Sequence, residues 1–176
     1  MIKKLSLLGI AFMSFFLLTG CTKDNKELDN NTLSESADLK EITGEIVKAN
    51  LNEDGNIVIN KDEITEDAVY ISYEYEGITI GLIAVRNSEG KVIVVVNTCQ
   101  SCGGSPYAYF VQVGTKVQCQ NCGNYFAIDD LDNLTKDGCN PIEIEDRIDI
   151  DGKIIIGTEQ LKNLKSKFEN WKGPKA

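Results

Sequence analysis

Short apolar runs broken by turn signals fill the chain from residue 57 onward. Ile57-Val58-Ile59, Val69 to Tyr75, Ile78 to Val85 and Lys91 to Val96 are β-branched or aromatic. Turn signals at Glu53-Asp54-Gly55-Asn56, Glu76-Gly77 and Asn87-Ser88-Glu89-Gly90 separate them, and the pattern predicts a β-meander. In Val69 to Tyr75, Val69, Ile71, Tyr73 and Tyr75 alternate with Tyr70, Ser72 and Glu74, as in a strand with one buried face. Val92 to Val96 is apolar throughout, which predicts a strand buried on both sides and ending at Asn97-Thr98. Lys61 to Ala68, acidic and without β-branched runs, reads as a short helix or loop. Further on, Tyr107 to Val113 and Lys116 to Gln118 flank Gly114-Thr115 as a hairpin. Tyr125 to Ile128 reads as a strand, and Asp129 to Leu134 as a helical turn capped by Asp129. Ile142 to Ile150 and Lys153 to Ile156 form a second hairpin around Asp151-Gly152. Near the C-terminus, Thr158 is the expected N-cap of an amphipathic helix with Leu161, Leu164, Phe168 and Trp171 on its core face. The fold class is therefore mainly β (α+β), a small β-meander domain with one C-terminal helix.

The first twenty residues follow a different logic. Lys3 and Lys4 precede an apolar run from Leu5 to Leu18 and a small-residue site at Thr19-Gly20, the layout of a secretory signal peptide over 1–20. Leu18-Thr19-Gly20-Cys21 resembles the bacterial lipoprotein signal, in which Cys21 becomes the lipid-modified first residue. The competing reading, an uncleaved transmembrane helix, meets a run short of the ~20 residues a bilayer requires. Residues 21–40 are too poor in apolar side chains to order on their own and read as a flexible polar tether. The remainder, 41–176, has the size of a single domain. The expected location is extracytoplasmic, lipid-anchored to the cell membrane.

Loss of the signal leaves 16 basic side chains against 27 acidic ones, a formal charge of −11. That field repels polyanions and attracts metal cations or basic protein surfaces. No basic stripe with interleaved aromatics is present, so no nucleic acid is expected as a partner.

The candidate chemistry sits in two matching knuckles, Cys99-Gln100-Ser101-Cys102-Gly103 and Cys119-Gln120-Asn121-Cys122-Gly123. A tight turn aims the first and fourth side chains of Cys-x-x-Cys at one centre, and the spacing between the pairs falls in the zinc-ribbon range. Gly103 and Gly123 are expected to take positive φ, turning backbone N–H groups toward the sulfurs. Cys99, Cys102, Cys119 and Cys122 are the candidate metal ligands. Disulfides are the alternative in an exported protein, but with Cys21 set aside for lipid the folded part has five cysteines and one would be left over. Spacing leaves the metal open between zinc, copper and iron. The chain contains no histidine, which removes histidine-ligated zinc, Rieske centres and histidine-activated nucleophiles. Cys139, between Gly138 and Asn140-Pro141, is a candidate additional ligand or redox thiol, or else a small buried residue. Tyr107, Tyr109, Tyr125 and Phe126 are expected to cover the site, and the amides of Asn97, Asn121, Asn124 and Asn140 are candidate donors around it.

Taken together, Asn97-Thr98-Cys99-Gln100-Ser101-Cys102-Gly103, Val117 to Phe126 and Gly138-Cys139-Asn140-Pro141-Ile142 resemble the FtrD-like family of membrane-associated iron-sulfur proteins. The resemblance spans about Ile64 to Ile144. It implies an iron-sulfur cluster or iron held by Cys99, Cys102, Cys119 and Cys122, with Cys139 as a further family cysteine. It also implies a role in iron acquisition or associated electron transfer, beside an iron permease or a redox partner protein. Where the family commonly has Gly-Gly before the last cysteine, this chain has Asp137-Gly138. Many members carry several membrane spans, whose place the lipid anchor is expected to take here.

Overall fold

A computed structural model describes residues 44–176, so the expected signal peptide over 1–20, the expected tether over 21–40 and Cys21 lie outside the described residues. The strands, in chain order, are β1 (Glu45–Lys48), β2 (Ile57–Asn60), β3 (Val69–Tyr75), β4 (Ile78–Arg86), β5 (Val92–Cys99) and β6 (Phe110–Val113). They continue as β7 (Lys116–Cys119), β8 (Tyr125–Ala127), β9 (Pro141–Glu143), β10 (Arg147–Ile150) and β11 (Lys153–Ile156), followed by helix α1 (Glu159–Asn163). A five-stranded sheet runs in the order β1-β3-β4-β5-β9, and two three-stranded sheets run β10-β11-β2 and β6-β7-β8. The molecule is mainly β, as its sequence pattern predicts.

The central sheet is a filling between two layers, which explains why its strands are so apolar. On one face, Val69, Ile71 and Tyr73 of β3, Leu82 and Ala84 of β4, and Val94 and Val96 of β5 pack with Ile57, Ile59, Ile154 and Ile156 of the β10-β11-β2 sheet. The C-terminal Leu161, Phe168 and Trp171 complete that layer. On the other face, Tyr70, Ile83, Val85, Ile93, Val95 and Cys99 pack with Phe110, Val117 and Cys119 of the β6-β7-β8 sheet. Each layer removes apolar surface from water at roughly 25 cal/mol per Å². Sheets covered on both sides lose the polar alternation of half-exposed ones.

Several expectations change in this light. β3 is buried on both faces through Tyr73: Tyr70 lies in the second core, and its hydroxyl accepts the Gln112 N–H at 2.8 Å. The meander is β3-β4-β5 alone, because Ile57–Asn60 pairs antiparallel with β11 across the core. Pairing over that sequence distance leaves no local signature. β1 runs parallel to β3, a strand that its mixed composition does not announce. Ile142 to Ile150 is divided: β9 joins the central sheet and β10 forms the hairpin with β11. The expected C-terminal helix is short, α1 followed by a 3-10 turn over Lys165–Lys167. Its apolar residues still reach the core, since a broken helix can present the same side chains. Thr158 stands at the N-cap without a side-chain capping bond. The 3-10 turn is Ile128–Asp130 with Ala127 as cap, while the Asp129 carboxylate accepts the N–H and hydroxyl of Ser88, each at 2.9 Å.

Candidate metal centre

Each knuckle begins at the last residue of a strand, and this fixes its first sulfur. Cys99 ends β5 and Cys119 ends β7, and both are fully buried. The segment 108–110 forms a wall shared by the two. The Cys99 N–H donates to the Ala108 carbonyl at 3.1 Å, the Gln120 N–H to the Tyr109 carbonyl at 2.8 Å, and Phe110 is the ladder partner of Cys119. The Asn97 side-chain oxygen accepts the Phe110 N–H at 2.7 Å, holding this wall to β5. The Ser105 hydroxyl donates to the Asn121 side-chain oxygen, joining the loop after the first knuckle to the second.

These constraints gather the four Sγ atoms of Cys99, Cys102, Cys119 and Cys122 within 4.8 Å of one another. None of the five described cysteines is in a disulfide. Burial decreases outward, with Cys102 partly buried and Cys122 exposed. Burial pushes the Cys119 thiol up to about 11 and also raises Cys99, and the neighbouring thiols add to both effects. Backbone N–H groups act in the opposite sense: that of Cys102 on Cys99, and those of Cys122 and Asn121 on Cys119. The turns therefore aim donors at the two buried sulfurs, as a thiolate site needs. A cation at the centre would reverse the balance, since a coordinated thiol is deprotonated outright.

The donor set tests what could sit there. Four sulfurs around one tetrahedral ion, with metal–sulfur distances of about 2.3 Å, stand about 3.8 Å apart, close to the observed spread. In an iron-sulfur cluster the four ligand sulfurs are divided among two or more irons, and sulfurs on different irons stand further apart than those on one ion. The spread of these sulfurs lies nearer to the ligand set of one ion than to that of a cluster.

Cys139 lies partly buried against the same core, outside the four convergent sulfurs. Its loop is stitched to the first knuckle: the Gln100 N–H donates to the Asn140 carbonyl at 3.0 Å, and the Ser101 hydroxyl to the Gly138 carbonyl at 2.7 Å. Of the aromatics expected to cover the site, Phe126 packs on the core that holds Cys99 and Cys119, and Tyr109 belongs to the opposite core. Tyr107 and Tyr125 are exposed, Tyr109 packs edge-on against Trp171 in the opposite core, and Phe126 packs edge-on against Phe110. Among the asparagines, Asn97 supports the wall, Asn140 donates to the Thr135 carbonyl at 2.7 Å, and Asn121 acts on Cys119 through its backbone. Gly123 has the expected positive φ, +76°, but in the first knuckle Gly104 takes it, +96°, rather than Gly103.

Sequence reasoning missed the C-terminal strap. The Gly104 N–H donates to the Lys167 carbonyl at 3.0 Å, the Lys172 N–H to the Pro106 carbonyl at 2.8 Å, and the Lys167 ammonium to the Gln100 carbonyl at 3.3 Å. Backbone hydrogen bonds between segments so distant carry no motif.

Comparison with known proteins agrees with the cysteine pattern. The family model described as membrane iron-sulfur containing protein FtrD-like matches residues 62–168. No curated protein and no solved structure matches the chain. Among the described residues, no helix is long and apolar enough to cross a membrane.

Proposed function

This chain belongs to the FtrD-like family, and from that premise we propose that it is a lipid-anchored, extracytoplasmic metal-thiolate protein serving iron acquisition or electron transfer coupled to it. The observation that carries the proposal is the convergence of four thiols within 4.8 Å in a chain of an iron-sulfur family. Cys99, Cys102, Cys119 and Cys122 would hold the metal, which when bound would supply a redox-active centre or a transferable soft cation. The chain's own part is electrostatic and steric. N–H groups of Cys102, Asn121 and Cys122 offset negative charge on the buried sulfurs, and the core around Phe110, Val117 and Leu131 keeps water from Cys99 and Cys119. Cys122 provides the exposed edge. From Val92 to Ile128 the single charged residue is Lys116, in a chain that is 26% charged, so the segment carrying both knuckles brings few ion pairs of its own for a partner protein to displace. An iron permease or a redox protein in the same membrane is the proposed partner, and the lipid on Cys21 keeps the domain beside it.

A second reading has one observation in its favour. Cys99 and Cys119 are integral to the core, as expected where an ion only staples two knuckles. The experiment that separates the readings compares a deletion strain with one carrying Cys119→Ser under iron, copper and zinc depletion, alongside metal analysis of the native protein. The iron reading expects an iron-specific growth defect in both strains and iron in the protein. Zinc alone, with no iron-specific defect, would transfer the site to the structural reading, and copper would make it a soft-metal carrier.

A further inference from the structure

We propose that the four-cysteine site holds a single metal ion and no inorganic sulfide, in contrast to the cluster that the family's description suggests. The inference rests on the metal-binding reading above and refines it. All four sulfurs lie within 4.8 Å of one another, and closing them to the roughly 3.8 Å edge of a tetrahedral ion's ligand set is a contraction of at most about an ångström. A cluster demands the opposite movement. Its irons are bridged by sulfide and each takes its own cysteine ligands, so the knuckles would have to separate.

The structure opposes that separation at defined points. Cys99 and Cys119 cannot move apart without disturbing the wall between them. The Cys99 N–H bond to Ala108, the Gln120 N–H bond to Tyr109 and the Cys119–Phe110 ladder pair all meet within three consecutive residues. Asn97 holds Phe110 to β5, Pro141 of β9 pairs with Cys99 on its other side, and Ser105 ties the loops together through Asn121. Each backbone or side-chain bond lost in a buried place leaves an unpaired group that costs roughly 1–3 kcal/mol. Cys102 and Cys122 sit on the turns and are less buried, but moving them alone cannot part the two buried sulfurs. Phe110, Val117, Ile128 and Leu131 belong to the same buried core as Cys99 and Cys119, so moving those two cysteines also disturbs packed side chains. The strap adds a further restraint, because the loop 103–106 is fastened to Lys167 and Lys172.

The test uses the full chain, solubilised from membranes under anaerobic conditions, and measures iron, zinc and acid-labile sulfide per chain. A single ion without labile sulfide is the expected result. The metal-free full chain is then titrated with cobalt(II) alone, expecting one equivalence point at one ion per chain and the visible absorption of tetrahedral thiolate coordination. Labile sulfide in amounts comparable to iron would overturn the single-ion inference while leaving the iron reading intact. One zinc without iron would support the single-ion inference and remove the iron reading. Cobalt binding at more than one ion per chain, or with no thiolate absorption, would overturn it as well. Cys122→Ser, which alters an exposed ligand and leaves the buried wall intact, should keep the fold and lose the cobalt spectrum; an unchanged spectrum also counts against the inference.

Discussion

Cys119 and Cys122 belong to the same knuckle but to different environments, one buried in the core and the other at the surface. Removing either should remove stoichiometric metal, because the loaded fold draws on ligand bonds worth many kcal/mol. The metal-free domains should differ. Cys119→Ser places a hydroxyl in an apolar site and should cost ~1–3 kcal/mol, whereas Cys122→Ser should stay within ~0.5 kcal/mol. Denaturant midpoints of metal-free variants test this, and equal losses would contradict it. Burial also sets the pH response. In the unfolded chain thiols ionise near the ordinary value of about 8.5, while folded Cys119 retains its proton up to about 11 and Cys99 is raised too. Above the unfolded value the unfolded state thus binds fewer protons, so stability of the metal-free domain is full below about 8.5 and falls as pH rises toward 11. A bound cation has already displaced those protons, so the loaded domain should lack this alkaline loss. Metal addition in weak buffer at pH 7 should release at least two protons, from Cys99 and Cys119. Matching alkaline stability curves for the two forms would refute the account.

At the scale of elements, the site is two strand ends and two turns held by a wall and a strap. The two glycines after the knuckles respond differently to a methyl group. Gly123 sits in open space at φ +76°, so Gly123→Ala should cost roughly 1–2 kcal/mol through left-handed strain and weaken metal binding. A methyl at Gly103 would meet Cδ and Nζ of Lys167 at 2.9 and 3.0 Å. That is the flexible end of a side chain, so Gly103→Ala should cost no more than ~0.5 kcal/mol. Thermal midpoints and cobalt titrations of the two variants check the order, which reverses if the strap is rigid. The knuckles were legible in the sequence because a ligand turn is local: residue type, spacing and glycine all fall within five positions. The β3-β4-β5 meander was legible for the same reason, its turns lying next to its strands. β1 beside β3, β2 beside β11 and the strap over Gly104 were not, since each joins segments that are remote in sequence. For Tyr109 the expected cover failed by direction. Tyr109 follows Tyr107 closely, yet its ring packs with Trp171 in the opposite core.

For the whole molecule, the arrangement of charge and the proposed anchor bear on each other. Without residues 1–20 the chain would carry a formal −11, which would oppose adsorption to an anionic membrane surface. The described residues contain no helix long and apolar enough to cross a bilayer. Membrane attachment would then depend on Cys21, with lipid chains contributing ~0.8 kcal/mol for each buried CH₂ and stable anchoring requiring more than one chain. Cys21→Ala should therefore move the protein from the membrane fraction to a soluble one, or leave an unprocessed precursor, while the metal content of the folded part stays unchanged. Fractionation combined with intact-mass measurement of the N-terminus provides the check. A variant that still fractionates with membranes and is processed at the same residue as wild type would place the attachment elsewhere in the chain. A soluble variant that retains its metal but fails to restore growth of the deletion strain on low iron would tie the proposed anchor to function, because what a lipid on Cys21 would supply is proximity: a linker of the length of residues 21–40 would hold the cysteine edge at high effective concentration beside a partner in the same membrane.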